Sequence, residues 1–287
     1  MQIRFIKVPY DTAQYEKRMG RGPGRILEAG AVARLQALGH EVEVRSVDPR
    51  PPFPAEVETA FAVMSGVAEE VRSALAEARF PIVLAGNCNT TVGAVSGLGP
   101  CRAGVVWFDG HADFETPETT TSGFIDGMGL AILTGQCWQG LARTIPGFAP
   151  VPGSDVILAG SSDVEPHERE RIDASGVTYL SDRALNGGDG GSRLEAALDR
   201  MSERVEGIHL HIDLDVHDPK VARANHFRPP GGLTPARLRE LTGRIVARVP
   251  VLSAAITAYD PEVDPAGVTL ASCLTLLETL VACRGER

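Results

Sequence analysis

A chain of 287 residues and 30.5 kDa can bury roughly three-quarters of its extended surface, enough for a large core without disulfides. With 28 Lys and Arg against 37 Asp and Glu the net charge is −9, which removes any general attraction to phosphate backbones and sets nucleic-acid binding aside. No apolar run reaches the roughly 18 residues a membrane helix needs, and five scattered cysteines without CxxC spacing (Cys88, Cys101, Cys137, Cys273, Cys283) fit a reducing, cytoplasmic setting.

Taken in chain order, the opening MQIRFIKVPYD mixes charge into its apolar stretch and reads as a strand over Gln2–Val8, not a signal peptide. The proline-broken GRGPGR at Gly20–Arg25 is a loop feeding a helix over Gly22–Gly39, and Glu41–Val47 is a second strand. Pro51–Pro54 marks a turn, followed by a long Ala-rich helix over Glu56–Ala78. Pro81–Ala85, Gly104–Asp109, Asp155–Ala159, Gly207–Asp215 and Pro250–Ala258 are further strand candidates, and Thr234–Val249 and Ala266–Cys283 are helices. Gly187–Gly191 reads as a surface loop. Strands alternating with helices, with continuous apolar runs at 82–84 and 105–108, predict a parallel sheet covered on both faces. No shift in composition divides the chain, so one domain over residues 1–287 is expected.

Ligands of such sheets sit outside the carboxyl ends of the strands, and two of those ends are acidic. One carries Asp109, His111 and Asp113 at alternate positions after VVWF. In the other, His209, His211, Asp213 and Asp215 share one strand face while Leu210, Ile212 and Leu214 take the opposite one. A wet edge strand would alternate in the same way. However, wet faces favour Lys, Thr and Glu, and the Asp218-Pro219 turn puts the acidic pair at the strand's end. Four carboxylates converging without a counter-ion would drive one another to protonate, whereas two divalent cations would neutralise them. Oxygen donors with a minority of imidazole suit Mn²⁺ or Zn²⁺.

These segments resemble the ureohydrolase (arginase and agmatinase) family. WFDGHADF and HIDLDVHDP are similar to its second and third metal motifs, GGLT at Gly231–Thr234 to a downstream signature, and TPETTTSGFIDGM at 116–128 to the segment shaping the substrate mouth. The likeness runs from about Gly20 to Asp260 and includes the GRGPGRILEAG opening. It implies a three-layer α/β/α sandwich with a central, mostly parallel eight-stranded sheet, a homo-oligomer, and a dinuclear manganese centre hydrolysing a C–N bond of a guanidino or amidino group. By the same resemblance Asp109 and Asp213 match bridging carboxylates, Asp113 a ligand of one ion, and His111 and Asp215 ligands of the other. His111 is also carried as a catalytic candidate. Two cations would lower the pKa of water held between them and supply a hydroxide nucleophile near neutral pH.

Three departures qualify the resemblance. The family's first metal motif, Gly-Gly-Asp-His-Ser, is set against Gly86-Asn87-Cys88-Asn89-Thr90, which places Asn89 at the histidine ligand, leaves Cys88 beside it as an alternative donor or a buried inert thiol, and keeps a one-ion site open beside the expected two Mn²⁺ per chain. Asp126 stands where relatives carry a proton-shuttling histidine; it is either the proton donor or an N-terminal cap of the turn it begins. Ala258, two residues before Asp260-Pro261, replaces a glutamate that grips the guanidinium, which points to a less basic head group such as an N-hydroxyguanidine, N-hydroxyarginine for example. Ser122 matches a substrate-contacting serine, Glu115 and Phe124 replace asparagines, and Arg228 is the candidate partner for a substrate carboxylate. His209, His211 and His217 are candidates for hydrogen-bonded support of the metal shell, with His40 and His167 on the surface. Two other readings stay open: a formimino or other linear-amidine hydrolase, and a catalytically silent metal- or metabolite-binding relative.

Overall fold

The computed structural model describes residues 1–49 and 55–282. Eight strands form the main sheet: β1 (Gln2–Val8), β2 (Glu41–Ser46), β3 (Phe80–Ala85), β4 (Ala103–Phe108), β5 (Val156–Ala159), β6 (Thr178–Leu180), β7 (Gly207–Asp213) and β8 (Val251–Thr257). Their spatial order is β2-β1-β3-β8-β7-β4-β5-β6, and every neighbouring pair is parallel. Helices cover both faces, the three-layer arrangement expected. Because side chains alternate along a strand, Ile82, Leu84, Val106, Phe108, Leu210 and Ile212 pack on one side with the helices Gly190–Ser202, Pro235–Arg248 and Val268–Ala282. Val83, Val105 and Trp107 face the other way, toward Glu56–Ala76, Thr90–Ser96 and Gly129–Leu133. No helix among the described residues is long and apolar enough to cross a membrane.

The order matters for function. Strands β3 and β4, consecutive in sequence, are held apart by β8 and β7, so four central strands deliver their carboxyl ends to one place. The loops they deliver are 86–89, 258–260, 214–218 and 109–115. The His209–Asp215 stretch belongs to this centre: all seven residues of β7 are buried between β8 and β4, so its alternation is not that of a wet edge.

Several boundaries differ from the sequence reading. The helix expected over Gly22–Gly39 is two helices, Gly22–Glu28 and Ala31–Ala37, broken where Gly30 takes a left-handed φ of 92°. Strand β6 is three residues of half-buried edge, too short to register as a pattern. Gly190 and Gly191 open a helix in place of the expected loop, and a side chain at either would strike the Leu185 carbonyl or the Arg244 guanidinium. Asp215 lies in a short 3-10 turn, Leu214–Val216, beyond β7. Pro51–Pro54 and Cys283 fall outside the described residues.

The Thr90–Ser96 helix carries β3's loop, and it lies close enough to Glu56–Ala76 that a Cβ at Gly93 would come 2.2 Å from the Met64 carbonyl oxygen. Gly93→Ala must therefore push two backbones apart, and we expect a loss of about 1–3 kcal/mol, read as a lower urea midpoint.

Candidate functional site

The carboxyl ends of β3, β8, β7 and β4 open into a cavity of about 290 Å³. Asp109 follows β4 directly, and its carboxylate accepts the indole N–H of Trp107 at 3.0 Å and the backbone N–H of His111 at 2.7 Å. Asp213 ends β7 and accepts the backbone N–H of Asp215 at 2.6 Å, closing the turn that swings Asp215 inward. Asp215 in turn accepts from Gly110 N at 3.2 Å and Asn225 Nδ2 at 3.1 Å. His111 Nδ1 lies 3.5 Å from Asp109 Oδ1 and 3.4 Å from Asp215 Oδ2, while its Nε2 meets the Phe227 carbonyl at 3.0 Å. Asp113 completes the set, lining the cavity from a left-handed backbone, φ 51°.

Electrostatics show what this group requires. Burial pushes the carboxyls of Asp109, Asp113 and Asp213 upward, and the neighbouring carboxylates push them further. Burial works the same way on Asp215, but His111 overcomes it and holds that carboxyl below the ordinary range. For His111, burial opposes the charge, and Asp215 with Asp109 outweighs it and raises the imidazole well up. Asp113 Oδ2 is buried with no hydrogen-bond partner. Oxygen donors crowded away from ionisation, one of them unpartnered, with an imidazole beside them, fit divalent cations.

The residues expected in the first metal motif separate. Cys88, not Asn89, faces the cluster: its Sγ donates to Asp213 Oδ2 at 2.7 Å and lies 3.1 Å from Thr257 Oγ1. Asn89 is buried at the foot of the Thr90–Ser96 helix and does not line the cavity. Asn89, expected as a metal ligand, is thus not brought to the cavity, whereas Cys88, one residue earlier, is. Burial, then Asp213 and the other carboxylates, push the Cys88 thiol well up.

Asp126 does not cap the turn it begins. Its Oδ1 accepts the backbone N–H groups of Cys88 at 2.7 Å and Asn89 at 3.2 Å, and its Oδ2 accepts Asn87 Nδ2 at 2.7 Å. The carboxylate thereby fixes a loop 38 residues away. Burial raises it to about 7, against the pull of those hydrogen bonds.

At the mouth, Glu115 and Ser122 line the cavity. Glu115 pairs with His167 Nε2 at 3.0 Å and accepts from Thr119, so His167 is a mouth residue and not simply surface. Ser122 Oγ accepts the Phe124 N–H at 3.2 Å, and the Phe124 and Phe227 rings meet edge to face 5.8 Å apart. Arg228 is not in the cavity; its guanidinium donates to the Asn225 carbonyl within its own loop. Ala258 does line the cavity, at φ 61°, and its carbonyl accepts Asn225 Nδ2 at 3.1 Å.

Sequence reasoning missed Glu168 and Asn225. Glu168 lines the cavity, accepts the Phe114 N–H at 3.2 Å and forms a capping box with Glu165 on the helix Pro166–Ser175. The E-x-x-E spacing before that helix was its signal. Asn225 ties Asp215 to Ala258 from an irregular loop and carries none.

Comparison with known proteins places this geometry. A family model described as "Arginase family" matches residues 1–283. An arginase of Bacillus subtilis (strain 168) is 27% identical over 289 residues, covering 97% of each chain. The native crystal structure of arginase from Bacillus caldovelox superposes with a TM-score of 0.90 at 26% identity, over 100% of this chain and 99% of that one. Formimidoylglutamase from Bacillus subtilis shares the fold, with a TM-score of 0.77 at 17% identity, over 97% of this chain and 86% of that one.

Behind the cluster, His209 Nδ1 meets Ser253 Oγ at 2.6 Å, and burial holds the ring down to about 3, against an ordinary 6.5. A base depressed on folding contributes fully above about pH 6.5, and its contribution is lost as the pH falls toward 3. By about pH 4.5 that loss should reach about 2–3 kcal/mol. Urea titrations across this range should show wild type losing stability relative to His209→Gln by this amount.

Proposed function

The chain belongs to the arginase family of hydrolases, which act on C–N bonds in amidino compounds, and from that premise we propose a manganese-dependent hydrolase of a small guanidino-type compound. The observation that carries this reading is the buried carboxylate cluster, with its unpartnered Asp113 oxygen, at the floor of a cavity wide enough for a small molecule. Asp109 and Asp213 would be shared between two ions, with Asp113 on one side and His111 and Asp215 on the other. When bound, the cations supply Lewis acidity that makes water a competent nucleophile near neutral pH.

The chain's own groups do the rest. The acidic walls attract a cationic head group. Asp126, raised to about 7 and open to the cavity, holds a proton near neutral pH that it would pass to the leaving amine. Ala258 leaves the head group without a second carboxylate grip, which supports an N-hydroxyguanidine over a plain guanidinium. At the other end, the one arginine among the described lining residues, Arg18, is taken up by Asp11 at 2.8 Å. With Arg228 turned away, this favours a substrate tail without a carboxylate over the amino-acid tail of N-hydroxyarginine. The same Ala258 favours a formimino substrate as the second reading. A cytoplasmic homo-oligomer built from one-domain chains completes the proposal.

The deciding experiment reconstitutes the protein with Mn²⁺ and screens plain guanidines, N-hydroxyguanidines and formimino compounds. Release of hydroxyurea supports the first reading and release of formamide the second. Absence of turnover on every class with metal loaded would favour a silent relative. Asp126→Asn should lower kcat by about 10²–10⁴-fold at saturating Mn²⁺.

A further inference from the structure

His211 is a buried imidazole that the reading above leaves without a task. It lies on β7, one strand face position before Asp213, and is fully buried. Trp107 stacks on its ring at a centroid distance of 3.9 Å, and Thr91 Oγ1 meets its Nδ1 at 2.7 Å. Both contacts fix the ring's direction. The other nitrogen, Nε2, has no hydrogen-bond partner although it is buried. That is a costly arrangement for a neutral imidazole unless something binds there.

The donors around this ring are specific. The donor atoms of His211, Cys88 and Asp109 all lie within 4.8 Å of one another, and all three residues are buried. Asp213, in contact with Cys88 Sγ, stands as a fourth donor. A second triad, Asp109, His111 and Asp215, meets the same distance condition and shares Asp109 with the first. The two triads differ in chemistry. The second offers oxygen and one nitrogen; the first offers sulfur, nitrogen and oxygen.

We propose that Cys88 Sγ, His211 Nε2 and the carboxylates of Asp109 and Asp213 form a mixed sulfur–nitrogen–oxygen site for a borderline-soft divalent cation of the zinc type, beside a harder site at His111 and Asp215. The inference rests on the reading of the carboxylate cluster as a cation centre, keeps Asp113 with the mixed position as a further oxygen donor, and adds that the two positions prefer different metals. The thiolate and imidazole suit zinc, which tolerates such mixed donor sets, while carboxylate-rich positions suit manganese. The Thr91 hydroxyl acts as positioning residue, holding the ring so that Nε2 points inward. Binding would displace the thiol proton of Cys88 to solvent, so zinc uptake should release protons.

The test uses the full-length protein loaded with Zn²⁺ and examined by X-ray absorption at the zinc edge, with Co²⁺ as an optical probe. The expected result is a sulfur neighbour at about 2.3 Å and, with cobalt, a sulfur-to-metal charge-transfer band, both lost in Cys88→Ser. His211→Gln should weaken zinc binding by about tenfold or more, whereas Asn89→Ala should leave it unchanged. A shell of oxygen and nitrogen alone, or a sulfur signal that persists in Cys88→Ser, overturns the mixed site while leaving the cation centre intact. Failure to bind Mn²⁺, Co²⁺ and Zn²⁺ alike overturns both readings. If His211→Gln does not fold, as judged by circular dichroism, the wild-type absorption data and Cys88→Ser decide alone.

Discussion

Four carboxylates buried within hydrogen-bonding reach of one another's neighbours are the constraint on which the rest of this protein depends. Asp109, Asp113, Asp213 and Asp215 each lie at most 7% exposed, and for three of them the medium and the company both oppose ionisation. Such a group would not persist on packing grounds, since apolar side chains of similar volume are as stable or more so. The parallel sheet exists in a form that brings them together: β8 and β7 separate β3 from β4, and the four loops that leave these strands meet at one floor. Around that floor the backbone N–H groups of Gly110, His111 and Asp215 donate to the carboxylates of Asp215, Asp109 and Asp213, which fixes where those acids point without neutralising them.

Much of this was legible in the sequence, and the limits have physical reasons. Long apolar strands announce themselves because both faces are buried, so β1, β3, β4, β7 and β8 were placed to within a residue or two. The three-residue β6 carries no such run. The alternation in His209–Asp215 was read for what it is because no wet face would choose those residues. The mismatch between Asn89 and Cys88 arose in a loop, where no periodicity fixes register; only the position of the chain as it leaves β3 decides which side chain turns inward. Asp126 likewise joins residues far apart in sequence, a contact no local pattern encodes.

The two ends of the cavity differ in what they ask of a ligand. The floor is made of strand ends and their first turns, and it carries acids, an imidazole and a thiol. The mouth is made of loop residues, Glu115, Ser122, Phe124 and Phe227, held by side-chain pairs such as Glu115 with His167. Under the proposed function, this division separates reaction type, set by the sheet, from substrate choice, set by loops that can vary without disturbing it.

The left-handed backbones of Asp113 and Ala258 have a bearing on how such an enzyme diversifies. Conformations of this kind cost non-glycine residues on the order of 1–3 kcal/mol, and at Asp113 the outlay aims a carboxylate. At Ala258 there is almost no side chain to aim, yet the strained path is kept, anchored through the carbonyl that Asn225 holds. Any larger residue installed there would project into the cavity from a main chain already shaped to present it. Position 258 is therefore a vacant socket, where a single codon change could alter which head group the floor accepts while the surrounding architecture stays as it is.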